Sequence, residues 1–429
     1  MTREGHDDSR GRAPALPACV SPVEADMLGL LAHALAPAGP GHEAPALPSD
    51  VRPSAALVQA CEAHKVTPLV YDELAELAGG DACDEGSLPP WLATARTRAR
   101  QSALQLYRLT FLTADLTGLL ARAGARSVVL KGSPVAALYP VPEARKSGDV
   151  DVLLLDPSRL ADADAALRRE GFVPDAEQLA THHRSYQGPA GIEVELHVAI
   201  AEPFDDERVN ARLAALQADM AGHVTARRVL GHDLPVLEDG YQALSLLLHM
   251  LQHFVRAGFG LKLLCDWVVF WNRDVAPDQV DLFERAVGDL GIGGFSGAVT
   301  GVCRRWLGLR DTEIVRRLEG AARDDDALCE ALLGEVLAGG EFGRSSRTRM
   351  VVLRGTSPVD YLRELHHQTR LNFPRASRVA PAWPALWAVT LARFLRNNRT
   401  VRGVTLRSVL RETHRRSALT SGLGLFRRR

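Results

Sequence analysis

Two carboxylates stand two positions apart in Gly148-Asp149-Val150-Asp151-Val152-Leu153. A β-strand turns successive side chains to opposite faces, so Asp149 and Asp151 project together while Val150 and Val152 enter a core. Carboxylates held side by side repel each other unless a cation lies between them. A hard cation with oxygen ligands suits them, and magnesium typically takes one or two carboxylates together with substrate phosphates. Upstream lies Leu130-Lys131-Gly132-Ser133-Pro134. Ser before Pro reads as a helix start, with Ser133 as N-cap and Pro134 at the first helical position. Backbone N–H groups at such a start favour anions, and Gly132 lets a phosphate approach without a Cβ clash. Lys131, Arg145 and Lys146 place positive charge nearby. Alone, Gly-Asp-Val-Asp also fits a turn or a calcium loop. Joined to the upstream glycine segment, it supplies the parts of a metal-assisted phosphoryl or nucleotidyl transfer site. A third segment, 192–200, alternates. Ile192, Val194, Leu196, Val198 and Ile200 face one way and Glu193, Glu195 and His197 the other. Either glutamate completes a three-carboxylate site.

The elements that position these residues form a small α/β centre between helical regions. The spacing predicts helices over 22–36, 55–64 and 68–78, then one long helix over 91–123 closed by Gly124. Strands follow at 127–130, 149–155 and 192–200, with a short helix from Ser133 to Leu138 and another over 156–169. From Tyr241 to about 395 the pattern is helical. The expected class is α+β, a small mixed sheet flanked by N-terminal and C-terminal helical regions. The expected divisions are a disordered lead (1–21), a helical region (22–124), an α/β core (125–205), a helical region (206–395) and a basic tail (396–429).

The set Leu130-Lys131-Gly132, Tyr139-Pro140, Arg145, Gly148-Asp149-x-Asp151 and Glu195-Leu196-His197 resembles a bacterial branch, usually called uncharacterised nucleotidyltransferases, of the superfamily related to DNA polymerase β. The likeness extends outward to the 64–69 segment and to His249, His253, Leu261 and Asp266. It implies Asp149, Asp151 and Glu195 as metal ligands and catalytic residues, with Mg2+ as cofactor and an NTP as substrate. It also implies Gly132 and Ser133 as phosphate binders; Lys131, Arg145 and Lys146 join them as candidate nucleotide-binding residues. In the similar family the acidic residue stands two before a histidine, as Glu195 stands before His197, which chooses Glu195 over Glu193. The expected reaction moves a nucleoside monophosphate onto a hydroxyl of a small molecule with release of pyrophosphate. The alternatives are a protein AMPylator and a non-catalytic nucleotide-binding module.

Composition narrows the partners. The chain has 429 residues, 46% hydrophobic and 24% charged, which suggests two or three globular domains. With 51 basic and 52 acidic residues it lacks the basic excess of a nucleic-acid coat. The eleven arginines from Arg393 onward face one acid there, Glu412, so the rest of the chain is net acidic. That tail reads as solvated or paired with the acidic body. The acceptor is therefore expected to be a small molecule or a protein, not a nucleic acid. The six cysteines form no Cys-x-x-Cys pair, and no apolar run reaches the ~20 residues of a membrane helix. A reduced, cytoplasmic protein without a membrane span is expected. His249 and His253, four apart, read as a buried or cleft-lining pair. Lys262 and Asp266, also four apart, read as a local ion pair.

Overall fold

A computed structural model describes residues 16–37, 46–79, 88–175, 182–188, 191–204, 206–256, 258–340, 376–400 and 418–425, with isolated positions between 359 and 373. Most of the predicted lead, Cys83 and much of the tail lie outside the described residues. Helix α1 (Pro22–Ala34) opens on a capping box: Glu24 N donates to the Ser21 hydroxyl, and Ser21 N donates to the Glu24 carboxylate at 2.8 Å. Helices α2 (Ala55–Ala63) and α3 (Tyr71–Leu77) follow. Helix α4 (Pro90–Arg122) runs 33 residues, about 50 Å. Its length lets it serve two cores. Leu92 and Ala95 join the helical one, whereas Leu109, Leu116 and Leu120 lie over the sheet.

The α/β centre contains β1 (Ser127–Val129), α5 (Ser133–Ala136), β2 (Asp149–Leu154), α6 (Leu160–Arg169), β3 (Val173–Pro174), β4 (His183–Gln187) and β5 (Glu193–His197). The sheet order is β1-β2-β5-β4-β3. Only the β2–β5 pair is parallel; the others are antiparallel. The mixed sheet is thus as expected, with Val150, Val152, Val194 and Leu196 buried beneath α4 and α6. Helix α6 starts later than the sequence suggests, because residues 157–159 form a 3-10 turn capped by Asp156.

The second helical region is interrupted. After α7 (Glu207–Met220) comes a hairpin, β6 (Val224–Val229) and β7 (His232–Leu237), inside the expected helical region 206–395 but ahead of Tyr241, where the helical pattern begins. Leu230 and Gly231 both have positive φ, as a two-residue type I′ turn requires. The alternation there is short and carries Pro235, which hides it from a periodicity search. Helices α8 (Asp239–Arg256), α9 (Leu261–Trp271), α10 (Pro277–Leu290), α11 (Gly293–Trp306), α12 (Glu313–Glu319) and α13 (Asp326–Gly339) complete the body, followed by α14 (Trp383–Thr400). The larger core draws on α1, α2, α3, α8, α9, α10 and α11 together, so the N-terminal and C-terminal helices share one interior. Leu419, Leu423 and Leu425 are buried in it. This part of the basic tail is docked and not simply solvated. No helix among the described residues is long and apolar enough to cross a membrane.

Candidate active site

Strands β2 and β5 run parallel with Asp149 opposite Glu193, Asp151 opposite Glu195 and Leu153 opposite His197. The period of two places Asp149, Asp151, Leu153, Glu193, Glu195 and His197 on one face, and Val150, Val152, Val194 and Leu196 on the other. Strand β1 delivers Lys131 to the same place: Leu130 N donates to the Asp151 carbonyl at 3.0 Å, fixing the next residue beside β2. The Lys131 ammonium lies 2.9 Å from Asp151 Oδ2 and 3.1 Å from Asp149 Oδ2. Asp151 is fully buried, whereas the Asp149 side chain is 36% exposed and forms the open rim. His197 Nε2 is 3.1 Å from Asp151 Oδ1 and 3.2 Å from Glu195 Oε2. Ligand atoms of Asp151, Glu195 and His197 lie within 4.8 Å of one another. Asp149 is joined to them through Lys131.

The charges tune one another. Burial pushes the Glu195 carboxyl up, but the His197 hydrogen bond and the Lys131 charge outweigh it and hold it down at about 2. Burial draws His197 down, and its hydrogen bonds to Asp151 and Glu195 reverse that and raise it. Lys131 is likewise held above its ordinary value, its desolvation overcome by Asp151, Asp149 and Glu195. Glu193 differs: burial and then the neighbouring Glu195 and Asp149 charges push it up.

The glycine segment departs from expectation in one respect. Gly132, not Ser133, is the N-cap of α5, with φ 81° and ψ −128°, a region that only glycine enters readily. Ser133 is therefore the first helical residue, and its hydroxyl caps nothing. It is buried without a hydrogen-bond partner. Arg145 is wholly enclosed. Its Nε and NH2 donate to Asp266 Oδ1 and Oδ2 at 2.7 and 2.8 Å, and its NH1 donates to the Gly132 carbonyl at 3.3 Å and to Ser147 Oγ. The Tyr139 hydroxyl donates to Asp266 Oδ1 at 2.6 Å. Asp266 on α9 is thereby taken by Arg145, and among the described residues it forms no ion pair with Lys262. Lys146 lines a cleft of about 240 Å3 with Glu62, Lys65, Arg98 and Ser147.

The profile of a family described as uncharacterised nucleotidyltransferase matches residues 52–308, more than half of the chain. The chain belongs to that family. The match runs from α2 to just past α11, so the family unit includes the helices around the sheet as well as the sheet. Neither the curated proteins nor the solved structures contain a match to the chain. Within the family unit, α8 sets His249 and His253 with ring centroids 4.5 Å apart. Burial, and next the Lys131 charge, holds His249 well below its ordinary value and His253 at about 4. Lys262, one helical turn before Asp266, is also drawn down, by burial first and then by Arg145. Sequence reasoning passed over His182 and His183. The structure sets both beside His197, with ligand atoms of all three within 4.8 Å. Their adjacency in the sequence was the available signal, but the strand carrying His183 had not been foreseen.

Proposed function

We propose that the chain is a Mg2+-dependent nucleotidyltransferase that moves a nucleoside monophosphate from an NTP to the hydroxyl of a small molecule. The observation that carries this reading is the gathering of Asp149, Asp151 and Glu195 around a single ammonium, beside a glycine turn with an unmatched buried hydroxyl. Lys131 bridging two carboxylates is in keeping with a cation at this cluster, and the carboxylate oxygens suit Mg2+. Asp149, Asp151 and Glu195 would hold it. When bound, Mg2+ offsets charge on the transferring phosphate and lowers the pKa of the attacking hydroxyl.

The chain's own groups do the rest. Gly132 admits a phosphate oxygen and Ser133 supplies a free hydroxyl to it. Lys131 adds charge at the same place. Arg145 acts through the turn, fixing the Gly132 carbonyl, and so positions these groups. Lys146 is a candidate for an anionic group of the nucleotide or acceptor lying in the cleft. The acceptor oxygen forms a bond to the α-phosphorus while the bond to pyrophosphate breaks. The acceptor proton passes to a carboxylate of the triad. His197 keeps Glu195 ionised for that part. The acidic body of the chain supports a small-molecule acceptor over nucleic acid. Five described cysteines are free thiols, in keeping with a cytoplasmic location. Pyrophosphate release from each NTP, with Mg2+ and a panel of hydroxyl acceptors, tests the reading. Release by the unchanged chain and none by Asp149→Asn supports it. Equal release from both would refute the site.

A further inference from the structure

Beside the carboxylates lies a second constellation of different donor chemistry. His183 on β4 stands opposite His197 on β5, and His182 immediately precedes it. Cross-strand partners on one face come close enough for their side chains to touch. The rings meet accordingly, with centroids 4.4 Å apart for His182–His183, 5.1 Å for His183–His197 and 5.7 Å for His182–His197. His182 Nε2 and His183 Nδ1 are 3.0 Å apart, so the two rings face each other with ring nitrogens and hold at most one proton between them. One ring nitrogen from each of the three histidines lies within 4.8 Å of the others. His182 and His197 are buried and His183 is half-buried, so water competes poorly there.

Two details point past a simple hydrogen-bond chain. His182 Nδ1 lies 3.3 Å from Glu202 Oε1, a close approach not aligned as a hydrogen bond, which a small turn of the ring would make one. A histidine that ligates a metal through one nitrogen characteristically gives its other N–H to a carboxylate, which fixes the tautomer and raises ligand basicity. His197 has Nε2 on Asp151 and Glu195, while its Nδ1 is buried with no hydrogen-bond partner. Its ring is not saturated by the carboxylate site. Three imidazoles suit Zn2+ and its borderline neighbours, whose bonds to nitrogen are about 2.0–2.1 Å; Mg2+ takes oxygen. Nitrogens around a tetrahedral Zn2+ would sit roughly 3.3 Å apart, close to the spacing already present between His182 and His183.

We infer that His182, His183 and His197 form a binding site for a divalent transition metal of the zinc class, separate from the Asp149–Asp151 site, with Glu202 as its outer carboxylate. The fourth position is open to water; Glu195 stays with the carboxylate site, on the Nε2 side of His183 and His197. Such a metal ties the start of β4 to the end of β5 and holds His197 in its place against Asp151. This site needs no transfer chemistry, so it stands or falls apart from the function proposed above.

The test uses the full chain, stripped with a chelator and titrated with Zn2+ under excess Mg2+. One Zn2+ per chain is expected, undisplaced by Mg2+. The double variant His182→Gln, His183→Gln should lose at least about a hundredfold in Zn2+ affinity and Glu202→Gln about tenfold. Asp149→Asn should keep the site. Unchanged titration in a folded double variant, or loss of Zn2+ binding in Asp149→Asn alone, would overturn the assignment. X-ray absorption of the Zn2+-loaded unchanged chain decides independently of whether any variant folds. A shell of imidazole nitrogens at about 2.0 Å is expected, and a shell of oxygens alone excludes the site.

Discussion

Two charged clusters adjoin the Gly132 turn, and they are built in opposite ways. Around Asp266 the charges are closed. Arg145 meets both carboxylate oxygens, Tyr139 adds a third donor, and both charged residues are 2% exposed. Around Asp149 the charges are open. Three acids share Lys131 and His197, and the Asp149 rim faces out. A buried pair with every partner present has nothing left to offer a ligand, and its loss strands a charge in the interior. An acidic cluster whose counter-charge is a lysine ammonium, open at the Asp149 rim, can take another cation in its place. The first cluster therefore holds the turn and the second is the candidate for chemistry.

Substitutions should separate the two. Asp266→Asn leaves the Arg145 guanidinium buried without its counter-charge and should cost about 3–5 kcal/mol of stability, read by denaturant unfolding. A cost below about 1 kcal/mol would show the tie to be dispensable. Asp149→Asn, at the open rim, should change stability by less than about 1 kcal/mol because relief of the like-charge contact with Asp151 offsets loss of the part-exposed Lys131 ion pair.

The helical wall gives an intermediate effect through pH. His64 is buried, accepts from Leu261 N at 3.3 Å, and is pulled down to about 4, mainly by burial. Its folded value lies below the ordinary ~6.5, so the unfolded chain takes up the proton first as the pH falls. The stability it contributes is present above pH ~6.5 and is lost on acidification toward pH ~4, by about 3 kcal/mol. The unfolding free energy of His64→Gln, subtracted from that of the unchanged chain, should show this slope between those limits. A flat difference would contradict the burial argument. Smaller still is Lys262. It has lost Asp266 to Arg145 and lies near enough to Asp149 and Lys131 to feel both charges. Lys262→Gln should raise the KM for NTP by about fivefold with kcat little changed, an effect on the order of 1 kcal/mol. A fall in kcat alone would place Lys262 elsewhere in the reaction.

The difference between the clusters also marks what a sequence discloses. Asp149 and Asp151 were legible because β2 opens with alternation, these acids on one face and the buried Val150 and Val152 on the other. Glu193 and Glu195 were separable only by resemblance, since period alone gives both the same face. Their register against β2 is a long-range pairing that no local pattern encodes. Ser133-Pro134 misled because the usual cap chemistry yields to Gly132, whose positive φ begins the turn one residue earlier. Lys262 and Asp266 misled because helix spacing offers a weak local pair, whereas Arg145 offers a bidentate one from far along the chain. Strand β4 was missed because His183, Arg184 and Gln187 put polar groups on both faces. Leu419, Leu423 and Leu425 were hidden beneath the count of arginines around them.

The central claim, that Asp149, Asp151 and Glu195 form a metal-dependent nucleotide site, can be tested without knowing the acceptor. Titration calorimetry with a non-hydrolysable NTP analogue should give one site per chain in Mg2+ and at least about tenfold weaker binding in chelator. Asp149→Asn and Glu195→Gln should abolish the Mg2+ dependence, while Glu193→Gln should retain it. Binding that ignores Mg2+, or that Asp149→Asn leaves intact, would contradict the account.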